Sequence, residues 1–161
     1  MRSRFGSFTV YALTLVGGLA LMPVAASAAS LSENLQGEWS GSGEIARASG
    51  ETELIRCRGS GRAVSENSIE QHFHCASTDK EFDFFTSIRV SEGRARGEWT
   101  APDRSGTMSG EASPTGMQLH LSSASGEGEL SVTIDACSQS LTVTGWSDEL
   151  KSMSVSLEKE C

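Results

Sequence analysis

The stretch Phe82-Asp83-Phe84-Phe85-Thr86-Ser87-Ile88-Arg89-Val90 decides the fold. Phe82, Phe84, Thr86, Ile88 and Val90 fall at every second position, with Asp83, Ser87 and Arg89 between them. Successive side chains of a strand point to opposite faces, so this period of two predicts a strand with one buried face. Phe85 breaks the alternation and is predicted to face outward.

The same rule extends in both directions along the chain. It groups Ile69, Phe73 and Cys75 against Glu70, His72 and His74. Further on it groups Met117, Leu119 and Leu121; Leu130, Val132 and Ile134; Leu141 and Val143; and Met153, Val155 and Leu157. Turn signals punctuate these runs at Ser49-Gly50, Glu66-Asn67, Thr78-Asp79, Glu92-Gly93, Pro102-Asp103, Pro114-Thr115-Gly116, Ser125-Gly126, Cys137-Ser138 and Ser147-Asp148. Helical periodicity is confined to one turn at Ser32 to Gln36, with Ser32 as the expected cap.

About eight to ten short strands joined by hairpins must hide one apolar face each. The expected fold is therefore all-β: an antiparallel up-and-down meander closing into a barrel, which also removes exposed strand edges. A sandwich is the second choice. Gly106, Met108, Gly110 and Ala112 supply small inward positions where such a barrel can narrow or leave room for a ligand. The tetrapeptide Gly37-Glu38-Trp39-Ser40 returns as Gly97-Glu98-Trp99-Thr100, which reads as two similar hairpin starts.

The N-terminus carries a different pattern. Arg2 and Arg4 precede an apolar run from Phe8 to Leu21, then Pro23 and Ala25-Ala26-Ser27-Ala28-Ala29. A basic start, a short apolar middle and an Ala-x-Ala site predict a secretory signal peptide over residues 1–28, cleaved after Ala28, and a single domain over 29–161. The run is short for a bilayer span, so no membrane anchor is expected after cleavage. Cleavage removes two of the 13 bases and no acid, moving the net charge from -8 to -10. Nucleic acid is excluded as a partner, because its capture needs clustered Lys and Arg.

Hydrophobic residues make up 37% of the chain and aromatics 6%, which leaves a thin core for a domain of this size. Disulfides are the expected staples, since Cys57, Cys75, Cys137 and Cys161 are even in number and export leads to an oxidising compartment. Of three possible connectivities, Cys57 with Cys75 and Cys137 with Cys161 is favoured, because each closes a local loop.

Motifs for chemistry are scarce. There is no Gly-x-Ser-x-Gly elbow, no His-Glu-x-x-His helix, no nucleotide loop and no Cys-x-x-Cys pair. One constellation stands out: Glu70, His72 and His74 share a strand face and form a ligand set that Zn²⁺ or Cu²⁺ accepts, with Asp83 as a further ligand. The alternative is an ordinary polar outer face, with Arg56 and Arg58 pairing with Glu70, and Asp83 beside His72 or His74. Arg56, Arg58 and Arg62 form a candidate patch for an anionic partner. Trp39, Trp99 and Trp146, with Phe82 and Phe84, are the candidate lining of a ligand cavity; otherwise they plug the core.

Leu35-Gln36-Gly37-Glu38-Trp39-Ser40-Gly41-Ser42-Gly43 resembles the first strand of calycin barrels, where lipocalins and avidins carry Gly-x-Trp with the Trp closing one barrel end. The resemblance implies that role for Gly37 and Trp39. Lipocalins stack an Arg from the last strand over this Trp; here no Arg follows Arg104, leaving Lys151 and Lys159. The order of this motif, Ile55-Arg56-Cys57-Arg58, Phe73-His74-Cys75-Ala76 and Gly97-Glu98-Trp99 is also similar to small exported bacterial β-proteins, which implies fold and export but no activity.

The resulting expectation is a non-catalytic, calycin-like barrel of the bacterial periplasm, without a cofactor, that binds a small apolar ligand or an envelope protein. The alternatives are a Zn or Cu protein or metal-assisted enzyme on the Glu70, His72, His74 face, and a periplasmic enzyme inhibitor.

Overall fold

The computed structural model describes residues 30–146 and 150–161. The expected signal peptide, and the turn signal at Ser147-Asp148, lie outside the described residues. Within the described residues one short helix, α1 (Leu31–Leu35), precedes ten strands: β1 (Gly37–Arg47), β2 (Thr52–Ser65), β3 (Ser68–Ala76), β4 (Glu81–Ser91) and β5 (Arg94–Ala101), then β6 (Arg104–Ser113), β7 (Gly116–Ser123), β8 (Gly126–Asp135), β9 (Ser138–Thr144) and β10 (Leu150–Glu158). Each strand pairs antiparallel with its neighbours in sequence, and β1 pairs with β10, so the sheet closes into the expected meander barrel.

The inward rows are those the alternation predicts. On β4, Ile88 is buried and Phe82 and Phe84 pack against the core, while Phe85 is 47% exposed. Leu119 and Leu121 on β7, Val132 and Ile134 on β8, and Leu157 on β10 are buried. The disulfides join Cys57 to Cys75 and Cys137 to Cys161, the favoured pairing. The first lies inside the barrel, where Cys57 and Cys75 stand directly opposite on β2 and β3.

The two barrel ends differ. At one end α1 lies across the opening and buries Leu31 and Leu35. Its cap is Ser30 rather than the expected Ser32: the Ser30 hydroxyl accepts from the Glu33 amide, and the Glu33 carboxylate accepts from the Ser30 amide. Ser32 instead donates to the Glu66 carbonyl at 2.6 Å and ties the helix to the β2–β3 turn. Asn34 ties it to the β6–β7 turn by donating to the Pro114 carbonyl. Gly61 allows this seat, since a Cβ there would stand 2.0 Å from the Leu35 carbonyl oxygen.

Trp39 sits beneath the helix, 2% exposed, and donates from Nε1 to the Leu35 carbonyl at 2.9 Å. Lys159, just past β10, holds its Nζ 4.8 Å from the Trp39 ring centroid and donates to the carbonyls of Asn34 and Gln36 at 2.7 and 2.9 Å. Burial lowers the Lys159 pKa. The repeated tetrapeptide does not mark equivalent positions. Gly37 opens β1 at the helix end, whereas Gly97 lies within β5 and carries Trp99 toward the other end.

Candidate functional site

The end away from α1 holds an apolar cleft of about 210 Å3. Strand alternation supplies most of its wall. Phe82 and Phe84 come from the inward row of β4, Ile45 from the end of β1, Val143 from β9 and Met153 from β10, and Trp146 follows β9. Phe84, Trp99 and Trp146 form one aromatic group, with Trp99 and Trp146 centroids 4.5 Å apart and each 6.1 Å from Phe84. Trp99 is 3% exposed and donates from Nε1 to the Thr107 carbonyl, which fixes the ring behind the cleft.

The polar rim is narrow. Arg104, at the start of β6, donates to the carboxylate of its chain neighbour Asp103, with both groups lining the cleft. This contact holds the Asp103 pKa below its usual value. The cleft's volume lies below the usual range of drug-sized pockets, so it suits a small apolar molecule.

The five aromatic candidates therefore separate. Phe82, Phe84 and Trp146 line the cleft, Trp99 stands behind it, and Trp39 belongs to the helix end. Gly106 lies under the Trp99 ring and Met108 is 2% exposed in the packed interior, so the Gly106 to Ala112 row fills the core. Ile45, Ala101, Val143 and Met153 were not singled out from sequence. Their inward parity was readable, but their meeting at one rim depends on which strand ends close on each other.

Glu70, His72 and His74 project together from β3, yet Glu70 is turned to Arg62, its direct partner on β2. The Glu70 partner is thus Arg62 and not Arg56 or Arg58, because the β2–β3 register sets Arg58 opposite His74 and Arg56 opposite Ala76. His72 donates from Nε2 to Asp83 Oδ1 at 2.8 Å, and His74 donates from Nδ1 to the same oxygen at 3.3 Å. These bonds lower the Asp83 pKa, the His72 contact contributing most. Phe85 lies flat on the His72 ring, 4.1 Å between centroids, which covers one of its faces. Among the described residues no three His, Cys, Asp or Glu side chains are placed to hold one metal ion. His120 is bound to Glu129 on β8.

No family model matches this chain, and no curated protein matches it. The solved structures it is similar to include EF1p2_mFAP2b bound to DFHBI, at 11% identity and a TM-score of 0.46, covering 83% of this chain and 100% of that one. A second is a de novo designed fluorescence-activating β-barrel, at 17% identity and a TM-score of 0.42, covering 81% and 98%. A third is b11L5F_LGL, a redesigned β-barrel, at 13% identity and a TM-score of 0.42, covering 84% and 100%.

Proposed function

We propose that this chain is a non-catalytic, exported β-barrel that holds a small apolar molecule in the cleft at its open end. The observation that carries this reading is the concentration of Ile45, Phe82, Phe84, Val143, Trp146 and Met153 around one opening, with α1 across the other. Burying an apolar ligand against such a wall yields about 25 cal/mol per Å2 of apolar surface. Among the described residues, Asp103 and Arg104 supply the only formal charges lining the cleft.

Export to the periplasm after removal of residues 1–28 is part of the proposal. It is supported by the two disulfides, which persist in oxidising compartments. The calycin likeness is supported by the Lys159 amine over the Trp39 ring, a cation-π contact of the kind the resemblance implies.

Titration with N-phenyl-1-naphthylamine, a neutral dye that brightens in apolar sites, tests the cleft. The wild-type chain is expected to bind it saturably, and Ala101→Trp, which adds bulk at the rim, to weaken binding about tenfold, or about 1.4 kcal/mol. Equal binding by both proteins would move the ligand elsewhere and refute the assignment.

A further inference from the structure

The outer wall of β3 to β6 carries an arrangement unrelated to the cleft. The register sets Arg89 on β4 directly opposite Arg96 on β5. On the far side of each, Ser68 on β3 faces Arg89, and Ser109 on β6 faces Arg96. One outward row across four strands therefore reads Ser, Arg, Arg, Ser. Arg94, two residues before Arg96, stands beside it on the same face.

Directly opposed residues of an antiparallel pair have Cβ atoms about 4.5–5.5 Å apart, and like charges there oppose folding. Three arginines elsewhere have an acid in contact: Arg47 has Glu53, Arg62 has Glu70 and Arg104 has Asp103. Arg89, Arg94 and Arg96, like Arg56 and Arg58, have none within 4.0 Å among the described residues, although Glu111 stands directly opposite Arg94 and Glu98 follows Arg96 on the same face; what sets Arg89 and Arg96 apart is that they face each other. Arg89, Arg94, Arg96 and Ser68 line one groove of the outer wall together with Glu92 and Glu98, so three guanidinium groups there outnumber two carboxylates.

We propose that Arg89 and Arg96, with Arg94 and Ser68 beside them, form a binding site for a small tetrahedral oxyanion such as phosphate or a phosphate monoester. The chemistry follows from the donors. Guanidinium groups present paired N–H donors that match two oxygens of a phosphate, and two facing groups can share one dianion. Ser68 and Ser109 add hydroxyl donors at the flanks. An anion between the two arginines also turns their mutual repulsion into attraction. The chain's net charge of -8 repels extended polyanions, so the site favours a small anion or a single head group.

NMR titration with inorganic phosphate, against sodium chloride at matched ionic strength, tests the site. Saturable shifts are expected at the Ser68, Arg89, Arg96 and Ser109 amides, with affinity at least tenfold weaker in the Arg89→Gln, Arg96→Gln double variant. The variant's far-UV spectrum reports its fold, and single Arg89→Lys and Arg96→Lys chains, which keep the charge, serve should the double variant misfold; they are expected to bind more weakly than wild type. Co-sedimentation with phosphatidylcholine vesicles containing phosphatidic acid separates the sources. Arginine-dependent co-sedimentation makes the anion a lipid head group, and its absence beside phosphate binding makes it a free anion. No saturable shift, or identical shifts in the arginine variants, overturns the proposal.

Discussion

Replacing Lys159 by Met removes a cation while keeping most of the aliphatic stem, and isolates what holds the helix end closed. Three contacts are lost: the hydrogen bonds to the Asn34 and Gln36 carbonyls and the approach to the Trp39 ring. Hydrogen bonds to a charged group contribute about 1.5–3 kcal/mol each, and a cation over an aromatic face about 0.5–1 kcal/mol at exposed sites. The full sum overstates the loss. Gln36 is exposed, so its carbonyl can turn to water, and burial already works against the charged amine, as its lowered pKa records. A net loss of about 2 kcal/mol is expected, or about 6–10 °C in Tm for a domain of this size. Guanidinium unfolding followed by far-UV circular dichroism measures it, and hydrogen exchange at the α1 amides shows whether the helix loosens first. Lys159→Arg is expected to recover at least half the loss. A Lys159→Met chain within about 0.5 kcal/mol of wild type, with α1 equally protected, would refute this account of the closed end.

The remaining tests address the staples, the helix seat and pH. Removing Cys57 and Cys75 together, whose separation is 18, is expected to cost about 3 kcal/mol in chemical unfolding, and removing Cys137 and Cys161 a similar amount. A cost below about 1 kcal/mol would show that closure alone holds these strands. Gly61→Ala places a Cβ against the Leu35 carbonyl, so it is expected to destabilise by about 1–3 kcal/mol and to speed exchange in α1; unchanged exchange would mean the helix is not seated there. Glu129, through its hydrogen bond, raises the His120 pKa above its ordinary 6.5. A raised folded pKa stabilises fully below the unfolded value and loses that contribution as pH rises through the folded one. His120→Gln is therefore expected to be less stable than wild type near about pH 5.5 and equal to it near about pH 9; a pH-independent difference would remove the pair as its cause.

Parity made the barrel readable from sequence. A period of two in strands 8 to 12 residues apart leaves few ways to bury one face, and the β4 stretch around Phe84 states that pattern almost without exception. Parity also set the face of Phe82 and Phe84. It could not say how far along the axis each ring would stand, which is why Trp39 and Trp99, each preceded by Gly-Glu, end in different clusters. Register is likewise invisible in local sequence. It chose Arg62 over Arg56 and Arg58 for Glu70 and brought Arg89 against Arg96. The Lys159 contact depended on both, since a base beyond the last strand meets Trp39 only once the barrel is closed.

The β1 to β10 seam has a consequence for the order of assembly. Every other strand pair is a hairpin that can form as soon as its two strands exist, but Ser40 must find Glu158 across nearly the whole domain. Loop closure over such a distance is slow relative to hairpin formation. Until the ends meet, β1 and β10 are open edges able to pair with a second chain. The Cys137 to Cys161 bond joins the start of β9 to the end of β10, so forming it early would hold one edge in place and shorten the search. Oxidation that precedes closure would then limit aggregation during refolding, and the time course of disulfide formation against Trp39 burial would show which event leads.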